Sequence, residues 1–260
     1  MKRILIYIGL ALCSLGSVQA QNIAFADSAV VYTKAMADSA YAVADYATAI
    51  HVYEYLLATG GEATSVYYNL GNSYYKQGEV ARAILNYERA LMLAPSNDNI
   101  KFNLELARSK TVDKNVIVTE LFLIRWIRSF TTILSADGWA KCAILCFIIL
   151  ILSLTTFIFA KNKKTKKIIF IFALFSAMGT IVANIIAADR KGKMELRENA
   201  IVMEPSVTIR STPSVNGTEL FILHEGKKVK ITDDSMRDWK EIKIEDGNIG
   251  WLPASAIEKI

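Results

Sequence analysis

The side chains best suited to chemistry are few and far apart. The chain carries three cysteines and two histidines in 260 residues. Cys13 lies in an N-terminal apolar stretch, and Cys142 and Cys146 lie in a later one. The polar regions hold no thiol to serve as nucleophile, metal ligand or disulfide partner. Spaced four apart, Cys142 and Cys146 share a helix face and read as small apolar packing groups. His51 stands in a helical pattern with no second histidine or acid at ligand spacing, and His224 has no partner for a nucleophile–base pair. Scattered carboxylates such as Asp233 and Asp234 read as solvated turns. No Walker-type phosphate loop, no GxGxxG after a strand, no HExxH and no GxSxG occurs. These patterns predict no catalytic residue, no metal and no cofactor, and so a chain that is not an enzyme.

Charge excludes another class. The net charge is +5, but it is unevenly spread. Residues 21–118 carry 8 basic and 10 acidic side chains, and residues 195–260 carry 9 and 12. The excess comes from one run, Lys161, Lys163, Lys164, Lys166 and Lys167. No domain has the basic footprint of a phosphate-backbone binder, so nucleic acid is not an expected partner.

The mean hydropathy of +0.28 leans toward a membrane protein. Lys2 and Arg3, an apolar core over residues 4–15, and Val18 and Ala20 before Gln21 form the pattern of a secretory signal peptide, residues 1–20. Two uncharged apolar runs follow, within residues 140–160 and 168–188. A span needs about 20 apolar residues to cross about 30 Å of hydrocarbon, and both runs fit. The lysines of residues 161–167 mark the loop between them, because short Lys-rich loops stay in the cytoplasm. Signal peptide and loop together predict a two-pass protein of the inner (cytoplasmic) membrane, embedded in the lipid bilayer, with both flanking domains periplasmic. In the second span Gly179, Ala183 and Ala187 recur every fourth residue, a face suited to close helix approach. Asn184 is expected to bond a neighbouring helix. In residues 113–139, Leu123, Trp126, Ile127, Phe130 and Leu134 share one helical face, opposite Arg125, Arg128, Ser129 and Thr132. Such a helix suits a membrane surface, or else packs on the preceding domain.

The preceding domain, residues 21–112, has an internal period. Leu70, Gly71, Tyr74, Gly78, Ala83, Tyr87, Ala90 and Pro95, within residues 64–97, resemble the tetratricopeptide repeat, a helix–turn–helix unit of about 34 residues. Gly71 and Ala83 allow two helices to approach, Tyr74 and Tyr87 fill the space between them, Gly78 turns the chain and Pro95 stops the second helix. Shifting back one period aligns Ala49, Ile50, Tyr53 and Leu57 as a degenerate earlier repeat, with its first helix near residues 27–42. Shifting forward aligns Leu104 in a closing helix, capped by Asn97 or Asp98. The resemblance implies a concave protein-binding face made by Tyr68, Asn69, Asn72, Tyr75 and Lys76.

Residues 198–260 change style. Short alternating apolar runs are separated by the turn signals Asn216-Gly217, Glu225-Gly226 and Asp246-Gly247. About five strands in some 60 residues suggest a small all-β barrel. Arg210, Pro213, Gly226, Trp239, Gly250 and Trp251 resemble the bacterial SH3 domain, and at least one of the two tryptophans is expected in the core. Residues 189–197 read as a linker.

The fold class is thus multidomain: an all-α repeat array, a two-helix membrane hairpin and an SH3-like barrel. This order resembles the BatE family of membrane proteins from the Bacteroides aerotolerance gene cluster. That resemblance implies a non-enzymatic scaffold in an envelope complex linked to oxidative or envelope stress, with von Willebrand A-domain membrane proteins as partners. The alternative is an anchor or sensor that binds peptidoglycan through its SH3-like domain.

Overall fold

The computed structural model describes residues 31–114 and 121–260. The expected signal peptide lies outside the described residues, as do residues 27–30 of the expected first helix. Among the described residues five helices come first: α1 (Lys34–Ala42), α2 (Tyr46–Gly60), α3 (Thr64–Gln77), α4 (Val80–Leu93) and α5 (Asp98–Arg108). Side chains that accept from free helical N–H groups start three of them. Thr33 caps α1, Asp45 caps α2 by accepting from the Thr48 N–H at 3.1 Å, and Asn97 caps α5. Each helix packs against the next, and Tyr53, Tyr87, Ile84 and Leu104 fill the interior.

Gly71 is needed for the α3–α4 approach. A Cβ there would lie 2.7 Å from Tyr87 Cε1 and 3.3 Å from the Ala83 carbonyl oxygen. Tyr87 is buried and donates to Asn72 at 2.7 Å, so its ring has little freedom to retreat. Gly71→Ala is therefore expected to destabilise the repeats by about 1–3 kcal/mol through overpacking, read from thermal unfolding followed by far-UV circular dichroism.

Next come α6 (Phe122–Thr131), α7 (Ala136–Phe159) and α8 (Lys163–Leu196). The last two are long and apolar enough to cross a membrane, and only 6% and 17% of their most apolar windows are buried. A core helix of a soluble domain would be mostly buried, whereas most of the apolar surface of these two helices is open. They pack on each other as a hairpin, with Ser176 Oγ donating to the Cys146 carbonyl at 2.5 Å and Gly179 against Cys146.

The boundaries differ from those expected. The lysine run is not a loop: Lys163 to Lys167 form the first turns of α8, and the connection shrinks to residues 160–162. Asn162 caps α8 by accepting from the Lys164 N–H at 3.0 Å, and lysine is a good helix former. Nor is there a linker at 189–197. α8 runs on to Leu196, supported by the i,i+4 pairs Lys193–Asp189 (2.6 Å) and Lys191–Glu195 (3.5 Å). Asn184 bonds its own helix, donating to the Thr180 carbonyl at 2.9 Å, rather than a neighbouring one. The apolar face of α6 is not packed on the repeats: Trp126 is 61% exposed and no α6 residue is buried. Its C-terminal end is tied to the hairpin, where Trp139 Nε1 and Arg190 Nε both donate to the Thr131 carbonyl at 3.0 Å.

The remaining chain forms seven strands: β1 (Asn199–Val202), β2 (Ser206–Arg210), β3 (Glu219–His224), β4 (Lys228–Asp233), β5 (Trp239–Lys243), β6 (Ile249–Pro253) and β7 (Ile257–Lys259). They make one antiparallel sheet in the order β3-β2-β6-β5-β4-β1-β7. Bulges at Ile209/Arg210 and Ile231/Asp233 bend it around a core that includes Val202, Ile209, Val229, Ile242 and Leu252. Where a closed barrel of about five strands was expected, β3 and β7 stay as open edges. β1 escaped notice because Ala200, Ile201 and Val202 are an unbroken apolar run with no period of two. Neither tryptophan joins the core. Trp239 and Trp251 are half-buried on the opposite face from Ile242 and Leu252.

The repeats and the sheet dock on one another. Along β1, Ala200 and Val202 enter the sheet's own core, while Ile201 points the other way into the core of the repeats, joined there by Ile260. Gly226, at φ +83°, sits on this seam, and a Cβ would lie 2.6 Å from Thr111 Cγ2 and 3.0 Å from Ile84 Cδ1. Ion pairs rim the contact. Arg89 meets Glu258 at 3.0 Å and the Lys259 carbonyl at 2.6 Å. The buried Glu88 carboxylate takes Lys228 at 2.7 Å and Arg108. His224, which showed no partner in sequence, is held at both its backbone N–H (2.6 Å) and its Nδ1 (2.9 Å) by Asp113.

Candidate protein-binding groove

The first helices of successive repeat units, α1, α3 and α5, lie side by side. The period of about 34 residues sets their side chains in rows. Asp38, Asn72 and Leu106 occupy one equivalent position, Lys34, Tyr68 and Phe102 another, and Tyr41, Tyr75 and Ser109 a third. Positions four and three apart on each helix share a face, so the three rows form one surface.

A hydrogen-bond ladder crosses it. Asp38 Oδ1 accepts from Tyr53 at 2.6 Å and from Asn69 Nδ2 at 3.0 Å, while Oδ2 accepts from Lys34 at 2.6 Å. Burial pushes the Asp38 carboxyl up, but its three donors outweigh this and hold it below the usual value, so it stays charged at neutral pH. Farther along, Asn72 Oδ1 accepts from Tyr87 and from Asn103 Nδ2 at 2.9 Å, and Asn103 also donates to the Tyr68 hydroxyl at 2.9 Å. Lys110 Nζ stands 4.2 Å from the Tyr75 ring centroid. Of the five residues expected on this face, Tyr68, Asn69, Asn72 and Tyr75 are half-buried in the ladder or beside it, and Lys76 is exposed.

The surface has a polarity gradient. One end carries Lys34 and Asp38. The middle is aromatic and amide. The far end carries Phe102 and Leu106, 69% and 42% exposed, one turn apart on α5. These two, with Asp38 and Asn103, were missed in the sequence. The shift that aligned Leu104 with Leu70 also aligns Phe102 with Tyr68 and Leu106 with Asn72, and it was applied only to the buried position. α5 therefore extends the face as well as closing the core. Such a surface offers amide and hydroxyl groups for a peptide backbone and apolar rings for its side chains. Among the described residues no group of three or more His, Cys, Asp or Glu side chains is placed to hold a metal.

Leu70, Tyr74, Ala83, Tyr87 and Ala90 are buried, Gly78 ends α3 and Pro95 follows the end of α4. Burial and a hydrogen bond to Glu54 push the Tyr74 hydroxyl up to about 12. In the sheet domain Arg210 donates to the Gly217 carbonyl at 2.8 Å, and Gly250 packs under Ile209 and Leu220. His51 meets the Tyr32 ring edge-on at 5.5 Å.

Residues 64–97 match the tetratricopeptide repeat family, so the chain contains one such repeat, a unit associated with protein–protein interaction. No curated protein sequence matches the chain significantly.

Proposed function

We propose that this protein is a non-enzymatic membrane scaffold that presents its repeats and its sheet domain to one protein partner as a single platform. The observation that carries this reading is the docking itself. Ile201 and Ile260 of the sheet domain lie in the core of the repeats, so the two domains cannot be presented independently. The antiparallel hairpin adds a reason for its place: the start of α7 and the end of α8 lie at the same end, beside both domains. α6, with its apolar face open, lies on the bilayer surface at that end. The lysines at the opposite end of the hairpin hold it in the cytoplasm. The repeats and the sheet then face the periplasm, as the resemblance to BatE-family proteins implies, and the partner belongs to the membrane-bound envelope proteins, von Willebrand A-domain proteins among them. The bent sheet with Arg210, Gly226 and Gly250 supports an SH3-like ancestry.

A second reading has its own support. Trp239 and Trp251 lie on one face of neighbouring strands, with Trp239 opposite Pro253 and Trp251 opposite Glu241. Their rings stand half-exposed, away from the sheet's core. Two aromatic faces so placed suit binding of peptidoglycan by the sheet domain.

One experiment separates the readings. The full chain is crosslinked in native membranes and purified, and in a parallel arm it is incubated with purified sacculi. The scaffold reading expects envelope proteins to co-purify, and expects Phe102→Ala with Lys76→Ala to reduce their recovery about tenfold, as loss of an interface anchor does. Recovery of the chain alone overturns it. Retention on sacculi that is lost in Trp239→Ala establishes the second reading instead.

A further inference from the structure

The repeats have a second face. On α3 the groove uses Tyr68, Asn72 and Tyr75, whereas Tyr67, Leu70 and Tyr74 lie on the other side of that helix. There α2, α3 and α4 enclose a cavity of about 330 Å³. Leu70 forms its floor, Leu57 of α2 one wall, and Leu85 and Asn86 of α4 the other. Each end is closed by an acid, a tyrosine and an arginine. At one end Tyr74 donates to Glu54 and accepts from Arg82 at 3.3 Å. At the other, Arg89 stands over the Tyr67 ring, 5.9 Å from its centroid, and pairs with Glu258 of β7 at 3.0 Å.

Two polar atoms of the α4 wall are left unmade. Asn86 is 3% exposed, and its Nδ2 donates to the Arg82 carbonyl at 2.9 Å, but its Oδ1 has no partner among the described residues. Arg89 spends Nη2 on Glu258 and on the Lys259 carbonyl, while its buried Nε is unpartnered too. An orphan acceptor and an orphan donor thus stand three residues apart on one face of one helix. Each is a cost to the folded chain until something completes it.

Their complement is a neutral group with an N–H and a carbonyl side by side. A fully ionised anion offers Asn86 Oδ1 no donor and meets Glu54 and Glu258. An apolar ligand leaves both atoms unmade. An extended peptide residue fits, because its N–H and C=O point to the same edge, as in a hydrogen-bonded pair of an antiparallel sheet. We propose that the cavity binds a three-residue extended segment of the partner protein. The middle residue donates to Asn86 Oδ1 and accepts from Arg89 Nε, and its apolar side chain turns to Leu57 and Leu70. The length agrees. Arg82 and Arg89 stand about 10 Å apart along α4, which three strand residues of about 3.4 Å each span. One turn of helix, about 10 Å across, fills about 420 Å³ and does not fit. The segment reaches the buried atoms as the Arg82 side chain, 54% exposed at the rim, turns aside. The source of the segment rests on the scaffold reading above.

The full chain in lipid nanodiscs is titrated with N-acetyl-Ala-Leu-Ala-amide, with empty nanodiscs as the blank, and binding is read by saturation-transfer NMR. The peptide is expected to bind about tenfold more tightly than its ester analogue, which has oxygen in place of the leucine N–H, the effect of one hydrogen bond to a buried acceptor. Inorganic phosphate is expected not to displace it. Asn86→Leu is expected to bring amide and ester to the same weak level without lowering the melting temperature, because it removes an unmade polar atom from the interior. Arg89→Lys keeps the charge beside Glu258 but lacks Nε, and is expected to weaken binding about tenfold. Leu57→Trp is expected to abolish binding by filling the cavity, and Thr59→Ala, exposed on α2 outside it, to change nothing. No binding, equal binding of amide and ester, displacement by phosphate, or full binding by Asn86→Leu overturns the proposal. Envelope proteins that still co-purify when the peptide does not bind leave the scaffold reading and remove the cavity alone. Recovery of the chain by itself with the peptide still bound removes the scaffold and leaves the site.

Discussion

Ile201→Ala is expected to weaken two domains at once. Its side chain belongs to a strand of the sheet, yet it is fully buried in the core of the repeats. Truncating a buried isoleucine costs about 2–5 kcal/mol, whereas Ile201→Val, which removes one methyl, costs about 0.5–1.5 kcal/mol. The loss is shared because β1 contributes Ala200 and Val202 to the other core from the same backbone. Hydrogen exchange of the full chain in detergent gives the decisive readout. Amides of α4 and of β1 are expected to lose protection together in Ile201→Ala. If β1 loosens while α4 keeps wild-type protection, the domains fold independently and the single-platform reading falls.

Removing Glu88 is expected to have the next largest effect. Its side chain is 5% exposed and sits on α4 between Arg108 of α5 and Lys228 of β4, so one buried carboxylate joins three elements. Breaking such a buried group by removing one member costs about 3–5 kcal/mol when the remaining charges are trapped. Arg108 and Lys228 keep 22% and 31% of their side-chain surface, so they partly regain water. Glu88→Ala is therefore expected to cost about 2–4 kcal/mol, discounted for that exposure. The pattern across variants tests the geometry. Arg108→Ala strands the acid with one cation and should act mainly on the α4–α5 contact, while Lys228→Ala should loosen the seam with the sheet. A double-mutant cycle of Arg108 and Lys228 is expected to show coupling through Glu88; strict additivity would mean that the carboxylate does not link them.

The repeat was legible because its signature repeats the same physical demands at a set spacing. Small residues at Gly71 and Ala83 and aromatic ones at Tyr74 and Tyr87 belong to one helix–helix contact. The hairpin was legible for a simpler reason, two long runs without charge. The edges of these elements were less so. Lys163 to Lys167 and Asp189 to Leu196 are polar enough to read as loop, yet helix propensity, the Asn162 cap and i,i+4 ion pairs extend α8 through both. The far end of the groove was missed because α5 was read only for its buried face.

The sheet shows the division most plainly. Alternation with turn signals between the runs marks β2 to β6, because one face of each is buried and the other is not. β1 has no alternation, because both its faces are buried, one by the sheet and one by the repeats. Local sequence records how much apolar surface a strand must bury, but not which partner buries it. So the sequence by itself determined the period of the repeats, the two apolar helices and most of the strands, since each depends on spacing within one element. Only the tertiary structure decided that Ile201 and Ile260 complete the core of another domain, that Gly226 must lack a Cβ beside Thr111, and that Asp113 holds His224. Those facts depend on contacts between residues more than 100 positions apart, and no local pattern encodes such a pairing.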